Sequence, residues 1–141
     1  MANTHLDPWS RPANLRAVEA VERVIRREAR RSADEPFGSV PVVLCGDFNE
    51  PRTSPLRIPL EGLLDSVFSV TDGPTLQGAA PLQIDGIYVS EDLTVVASSI
   101  RRGHEPSDHS PLVADLRLPR PMDHRNPPAG RRSTPSEGAQ D

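Results

Sequence analysis

The strongest constraint on this chain is a short apolar run, Val40 to Cys45, that stops at Gly46 and passes straight into Asp47, Phe48, Asn49 and Glu50. Six apolar residues are too few for a helix of ordinary length, and the spacing predicts a strand buried on both faces. Polar side chains that leave the carboxyl end of such a strand stand where α/β sheets place their sites. Upstream, Leu15, Val18, Val21, Val24, Ile25 and Ala29 recur at intervals of three and four with charged residues between them. That pattern predicts an amphipathic helix over residues 11 to 32. Sixteen prolines and five aromatic residues argue against a long helical bundle and an aromatic-rich β-barrel, which leaves mixed α/β as the expected fold class.

Beyond the polar cluster, Ser54 and Pro55 read as a helix cap and a first helical residue, which predicts a short helix over residues 55 to 61 closed by Gly62. A Gly- and Pro-containing loop follows. Residues 82 to 89 and 93 to 100 then read as a strand hairpin, and 111 to 118 as a last strand with Leu112, Ala114, Leu116 and Leu118 on one face. The expected sheet contains the strands 40–45, 82–89, 93–100 and 111–118, with the helix packed on one side. Residues 1 to 118 form one domain in this reading. Residues 119 to 141 are rich in Pro, Arg and Ser without periodicity and read as a disordered tail.

The net charge is −4 and all 16 basic residues are Arg, so composition does not write a general nucleic-acid surface into the chain. Arg23, Arg26, Arg27, Arg30 and Arg31 fall within nine positions, the pattern of a solvated helix face. The single Cys45 excludes an internal disulfide and a cysteine-based structural zinc site. No segment has the length and apolarity of a membrane span, and Met1 to Asp7 lacks the features of a secretion signal. A cytoplasmic location is expected for the chain as written.

Four polar clusters carry the candidate chemistry: Asn3-Thr4-His5, Gly46-Asp47-Phe48-Asn49, Asp85, and Ser107-Asp108-His109. Each alone has a plain explanation as a turn or a surface group. Asp85 resists that explanation, because it places a carboxylate inside an apolar strand pattern between Ile84 and Ile87, where a buried charge needs a partner. A histidine is the partner that makes chemistry of it: a carboxylate on one ring nitrogen fixes the tautomer and leaves the other nitrogen as acid or base. Asp108 beside His109 sets a hard oxygen ligand next to an imidazole, and oxygen ligands without thiolates favour Mg²⁺ or Mn²⁺ over zinc.

The order of these motifs resembles the C-terminal half of the endonuclease/exonuclease/phosphatase superfamily, the deoxyribonuclease-like hydrolases. The likeness rests on Asn-Thr-His-Leu-Asp (Asn3 to Asp7), Gly-Asp-Phe-Asn (Gly46 to Asn49), Ile-Asp-Gly-Ile (Ile84 to Ile87) and Ser-Asp-His-Ser-Pro (Ser107 to Pro111), with the helix between the first two. It implies half of a four-layer α/β sandwich, with a mainly antiparallel or mixed sheet and a helix layer. It also implies that Asp47 and Asn49 orient the attacking water and the scissile phosphate, that Asp85 orients His109, and that His5 contacts the phosphate or assists the leaving group. Asp108 and Asp47 then match metal ligands, and either Asp47 or His109 removes the water's proton.

Three departures qualify the resemblance. The family's N-terminal half, with its second sheet and a metal-binding Glu, has no counterpart in the sequence. Gln83 stands where relatives often carry Arg, and Gly86 where they often carry an aromatic residue, which predicts weaker packing beside Asp85. The expected function is a Mg²⁺- or Mn²⁺-dependent phosphoester hydrolase, acting on a small molecule, a lipid or a nucleic acid, and present as a fragment. Its partners would be a missing N-terminal half or a second copy docked on an exposed sheet face. The alternative is a catalytically inactive remnant serving as an interaction module.

Overall fold

The computed structural model describes residues 1–33, 40–69, 72–102 and 106–118. The expected disordered tail over residues 119 to 141 lies outside these, as do residues 34 to 39 between the expected helix and the run from Val40. The elements are β1 (Ala2–His5), α1 (Arg11–Ala33), β2 (Val43–Asp47), α2 (Ile58–Glu61), β3 (Asp65–Ser66), β4 (Asp85–Val89), β5 (Thr94–Ile100) and β6 (Leu112–Arg117). They form a four-stranded mixed sheet in the order β1-β2-β4-β3 and a separate β5-β6 pair. β1 is parallel to β2, whereas β2 and β3 both run antiparallel to β4.

The single expected sheet is therefore corrected to two. A strand has two edges, and both edges of β4 are taken, one by β2 and the other by β3, so β4 cannot form the expected hairpin with β5. β5 pairs instead with β6, from Thr94 opposite Arg117 to Ile100 opposite Leu112. The expected strand over 82 to 89 begins only at Asp85, because Leu82 bridges Leu76 instead. β1 and the two-residue β3 escaped the sequence reading, since four and two residues are too short to show a period.

α1 begins where expected. The Ser10 carbonyl accepts from the Asn14 amide at 3.0 Å, and Pro12 sits in the first turn, where a missing N–H costs nothing. Its buried stripe is Asn14, Val18 and Ile25, with Ala17 and Val21 half-buried; Leu15 and Val24, expected on the inner face, are each 47% exposed. These inner residues meet Leu6, Leu44, Phe48, Leu60, Leu64 and Tyr88 to form the core. Arg23, Arg26, Arg27 and Arg30 are solvent-exposed, with Arg26 paired to Glu22 at 2.9 Å. The described residues contain no helix long and apolar enough to cross a membrane.

β2 is not buried on both faces. Leu44 is fully buried against the helix side, but Val43 and Cys45, which alternate with it, are only half-buried, as is Ile87 opposite Cys45. Pro41, with no N–H for a ladder, also keeps the strand from starting at Val40. The expected helix over 55 to 61 shortens to Ile58–Glu61, its earlier residues forming turns instead.

Two glycines allow close approaches. Gly46 has φ +150°, and a Cβ there would stand 1.9 Å from the Thr4 carbonyl oxygen, so only glycine lets β1 lie against β2 at this point. Gly86 is the second. A Cβ on it would meet the Arg57 guanidinium at 2.5 Å and the Phe48 and Tyr88 rings at 3.2 Å. The space beside Asp85 is thus filled, not loosely packed as the absent aromatic suggested.

Gly46→Ala is expected to destabilise the fold by about 2 kcal/mol or more, combining backbone strain with a backbone clash. Denaturant unfolding of the two proteins, compared at equal slope, measures it; an unchanged midpoint would contradict the close β1–β2 contact.

Candidate active site

The site is assembled at the carboxyl ends of β1 and β2, which lie side by side because they are parallel, and at the amino end of antiparallel β4. His5 is in register with Asp47, and Asp47 is in turn in register with Asp85. Three of the four sequence clusters therefore fall on one row across the sheet. His109 completes the group from the segment before β6: its Nδ1 lies 2.8 Å from Asp85 Oδ2, and its Nε2 lies 4.0 Å from Asp47 Oδ2. His5 Nε2 is 3.5 Å from the same Asp47 oxygen, with a side chain 74% exposed against 17% for Asp47.

Each carboxylate is held by the local chain. Asp47 Oδ1 accepts from the Asn49 amide at 2.8 Å, an Asx turn that Asn49 closes at φ 47°, a conformation asparagine tolerates. The Asn49 side-chain nitrogen donates to the Leu6 carbonyl at 2.6 Å, which ties the turn after β2 to the end of β1. Asp108 stands apart. It is exposed, its backbone carbonyl accepts from Gln77 at 2.7 Å, and it is not among the residues whose ligand atoms converge. Asp47, Asp85 and His109 are those residues, with one ligand atom each within 4.8 Å of the others.

Two residues that the sequence reading passed over build this geometry. Thr75 is fully buried, and its hydroxyl accepts from the amides of Ile84 (3.1 Å) and Asp85 (3.0 Å) while its carbonyl accepts from Ser110 at 2.7 Å. It thus pins the start of β4 and the segment carrying His109 to one point. Arg57 is 1% exposed; its Nε donates to the Tyr88 hydroxyl at 2.7 Å, its Nη1 to the Glu50 carbonyl at 3.2 Å, and its guanidinium lies 4.5 Å from the Phe48 ring centre. A turn threonine and a charged arginine carry no periodicity that marks them as buried. The apolar pattern of neighbouring Leu56 and Leu60 was the only available hint.

Burial lowers the proton affinity of His109, but the hydrogen bond it donates to Asp85 and the charges of Asp85, Asp47 and Asp108 together outweigh it, leaving the pKa raised. The Tyr88 hydroxyl is also raised, by burial, against the opposing Arg57 charge and hydrogen bond.

The family model described as the endonuclease/exonuclease/phosphatase family matches residues 7–109. The chain belongs to that family. Among solved structures it is similar to a conserved protein of unknown function from Enterococcus faecalis, with 21% identity and a TM-score of 0.64 over 82% of this chain and 48% of that one. A mannosyl-6-phosphatase from Bacteroides thetaiotaomicron matches with 21% identity and TM-score 0.63, over 82% and 50% of the two chains. A family member from Bacteroides vulgatus matches with 22% identity and TM-score 0.63, over 81% and 47%. At this identity the likeness establishes the fold, and the chain spans about half the length of these structures. Comparison with curated protein sequences finds no match.

Two predictions follow from the geometry. Thr75→Val removes the hydroxyl at nearly constant shape and strands one buried and one half-buried amide, so it should cost about 2–4 kcal/mol, whereas Thr75→Ser should retain most of the stability; thermal unfolding of both variants checks this. In the metal-free protein His109 should titrate above the ordinary imidazole value, and Asp85→Asn should move it down, as read from its ring signals by NMR. A folded pKa above the unfolded one means that the stabilisation is complete below the unfolded value and is lost as pH rises through the folded value.

Proposed function

We propose that this chain carries the catalytic residues of a divalent-cation-dependent phosphoester hydrolase. The observation that supports it most is the Asp85–His109 pair, 2.8 Å apart, with the second imidazole nitrogen facing Asp47 at 4.0 Å. With Nδ1–H donated to the Asp85 carboxylate, Nε2 is left as the proton acceptor, and a proton affinity raised above the ordinary value suits a base working near neutral pH. His109 takes the proton of the attacking water in this reading. Asp47 orients that water, Asn49 holds the turn that aims Asp47, and exposed His5 meets the phosphate or the leaving group.

Asp47 and Asp85 bring carboxylate oxygens together with no thiolate, and hard oxygen donors of this kind suit Mg²⁺ or Mn²⁺. Asp47 is the first ligand in this proposal, because Asp85 and His109 are engaged with each other; Asp108 is the further carboxylate that the sequence motif suggests. A bound cation would neutralise charge on the phosphoryl oxygens. Phosphoester chemistry is the family's, and the mannosyl-6-phosphatase among the matched structures makes sugar phosphates a first substrate class to try. Since the matched chains are about twice as long, we assign full turnover to this half acting together with the remainder of that fold, whether in one protein or supplied as a partner.

A panel of sugar phosphates, inositol phosphates, a phosphodiester lipid and DNA, assayed with Mg²⁺, Mn²⁺ and EDTA, tests the reading on this chain and on a protein carrying the rest of the fold. Metal-dependent release of phosphate is expected. His109→Ala and Asp47→Ala should each lower kcat by about 10²–10⁴-fold, and Asp85→Asn should shift the acidic limb of the pH–rate profile downward. Absence of hydrolysis in every arm, with the longer protein folded, favours the inactive remnant instead.

A further inference from the structure

Trp9, the single tryptophan of the chain, is 93% exposed. Its loop is nevertheless held by four hydrogen bonds. Asp7 Oδ1 accepts from the Trp9 amide at 2.7 Å and the Ser10 amide at 3.1 Å, while buried Asn14 clamps the backbone of Asp7 through both its N–H and its carbonyl, at 2.8 Å each. Leu6, one step before, donates to the Asp47 carbonyl at 2.9 Å and accepts from the Asn49 side chain at 2.6 Å. The loop is therefore bonded directly to the turn that carries Asp47 and Asn49. It leaves β1 at the same end of the sheet as the candidate site.

A large aromatic ring held in water gains nothing from folding, yet a rigid mount lowers the entropy cost of using it to bind. We propose that the Trp9 indole is the platform for the ring of a sugar monophosphate whose phosphate occupies the site of Asp47, Asp85 and His109. This rests on the reading of that site as a phosphoester hydrolase. The apolar C–H face of a pyranose matches an indole face. Asp7 uses Oδ1 for the two amides, and its Oδ2 has no partner among the described residues, so the Trp9 loop keeps a carboxylate oxygen that accepts from sugar hydroxyls and repels a second phosphate. The arginines nearest the Asp47 turn do not form a track for a polyanion: Arg52 is paired with Glu61 at 3.3 Å and Arg57 is buried.

Because Trp9 is the only tryptophan, its emission reports on this position alone. The full chain, with Mg²⁺, is titrated with the non-hydrolysable phosphonate analogue of mannose 6-phosphate, with inorganic phosphate, and with the phosphonate analogue of a nucleoside monophosphate, while His109 ring signals are followed by NMR. The sugar phosphonate should move both the emission and the His109 signals; inorganic phosphate should move His109 only. Trp9→Ala should weaken the sugar phosphonate about tenfold and leave phosphate binding unchanged, with Trp9→Phe recovering most of the loss. Emission that stays constant while His109 responds overturns the platform and spares the hydrolase reading. Silence of both signals, in this chain and in a protein carrying the rest of the fold, overturns the hydrolase reading itself. A larger emission change with the nucleoside analogue assigns the platform to a base and overturns the sugar, and a Trp9 shielded from an iodide quencher in a protein carrying the rest of the fold shows the ring covered by protein and overturns both ligands.

Discussion

The candidate site depends on one buried hydroxyl. Thr75 Oγ1 receives the amides of Ile84 and Asp85, and the same residue's carbonyl receives the amide of Ser110, so the two segments bearing Asp85 and His109 are bonded to one residue on opposite sides. Leu76 continues the link, bridging both Leu82 and His109. Without this clamp, Asp85 would be a carboxylate at the start of a strand and His109 an imidazole 24 positions away, with no reason to meet. The 2.8 Å contact between them is the consequence, and the raised proton affinity of His109 follows from that contact.

A second brace lies under the sheet. The Arg57 guanidinium lies against both the Phe48 and Tyr88 rings, which pack edge-to-face on each other, bonds the Tyr88 hydroxyl, and holds the Glu50 carbonyl just past the Asp47 turn. A buried guanidinium is tolerable when its donors are met and aromatic faces offer their negative side. It fits because Gly86 has no side chain. The Gly46 approach plays a matching part on the other side of β2, where it brings β1 close enough to set His5 beside Asp47.

Much of this was legible in the residues. The spacing of Val18, Val21 and Ile25 announced α1, and the apolar run ending at Gly46 announced β2 and the polar exit of its carboxyl end. The four motifs named the family, and the family model and the mixed sheet with its helix layer agree. What misled was local pattern read without edges: residues 93 to 100 look like a hairpin partner for the preceding strand, but strand pairing is decided by which edges are free. Period alone places Leu15 and Val24 inward, but the buried stripe runs through Asn14, a polar residue whose value lies in its two bonds to Asp7.

The sequence by itself determined the chemical types present, the helix–strand order around them and the family, because these are properties of residue identity, spacing and motif order. Only the tertiary structure decided which types meet. Register across β1, β2 and β4 aligned His5, Asp47 and Asp85; Thr75 drew His109 to Asp85; and Asp108, adjacent to His109 in the chain, was left exposed outside the group. The reason is physical: hydrogen bonds and side-chain volumes act through space, and a buried threonine hydroxyl or an absent Cβ leaves no periodic trace in a linear sequence.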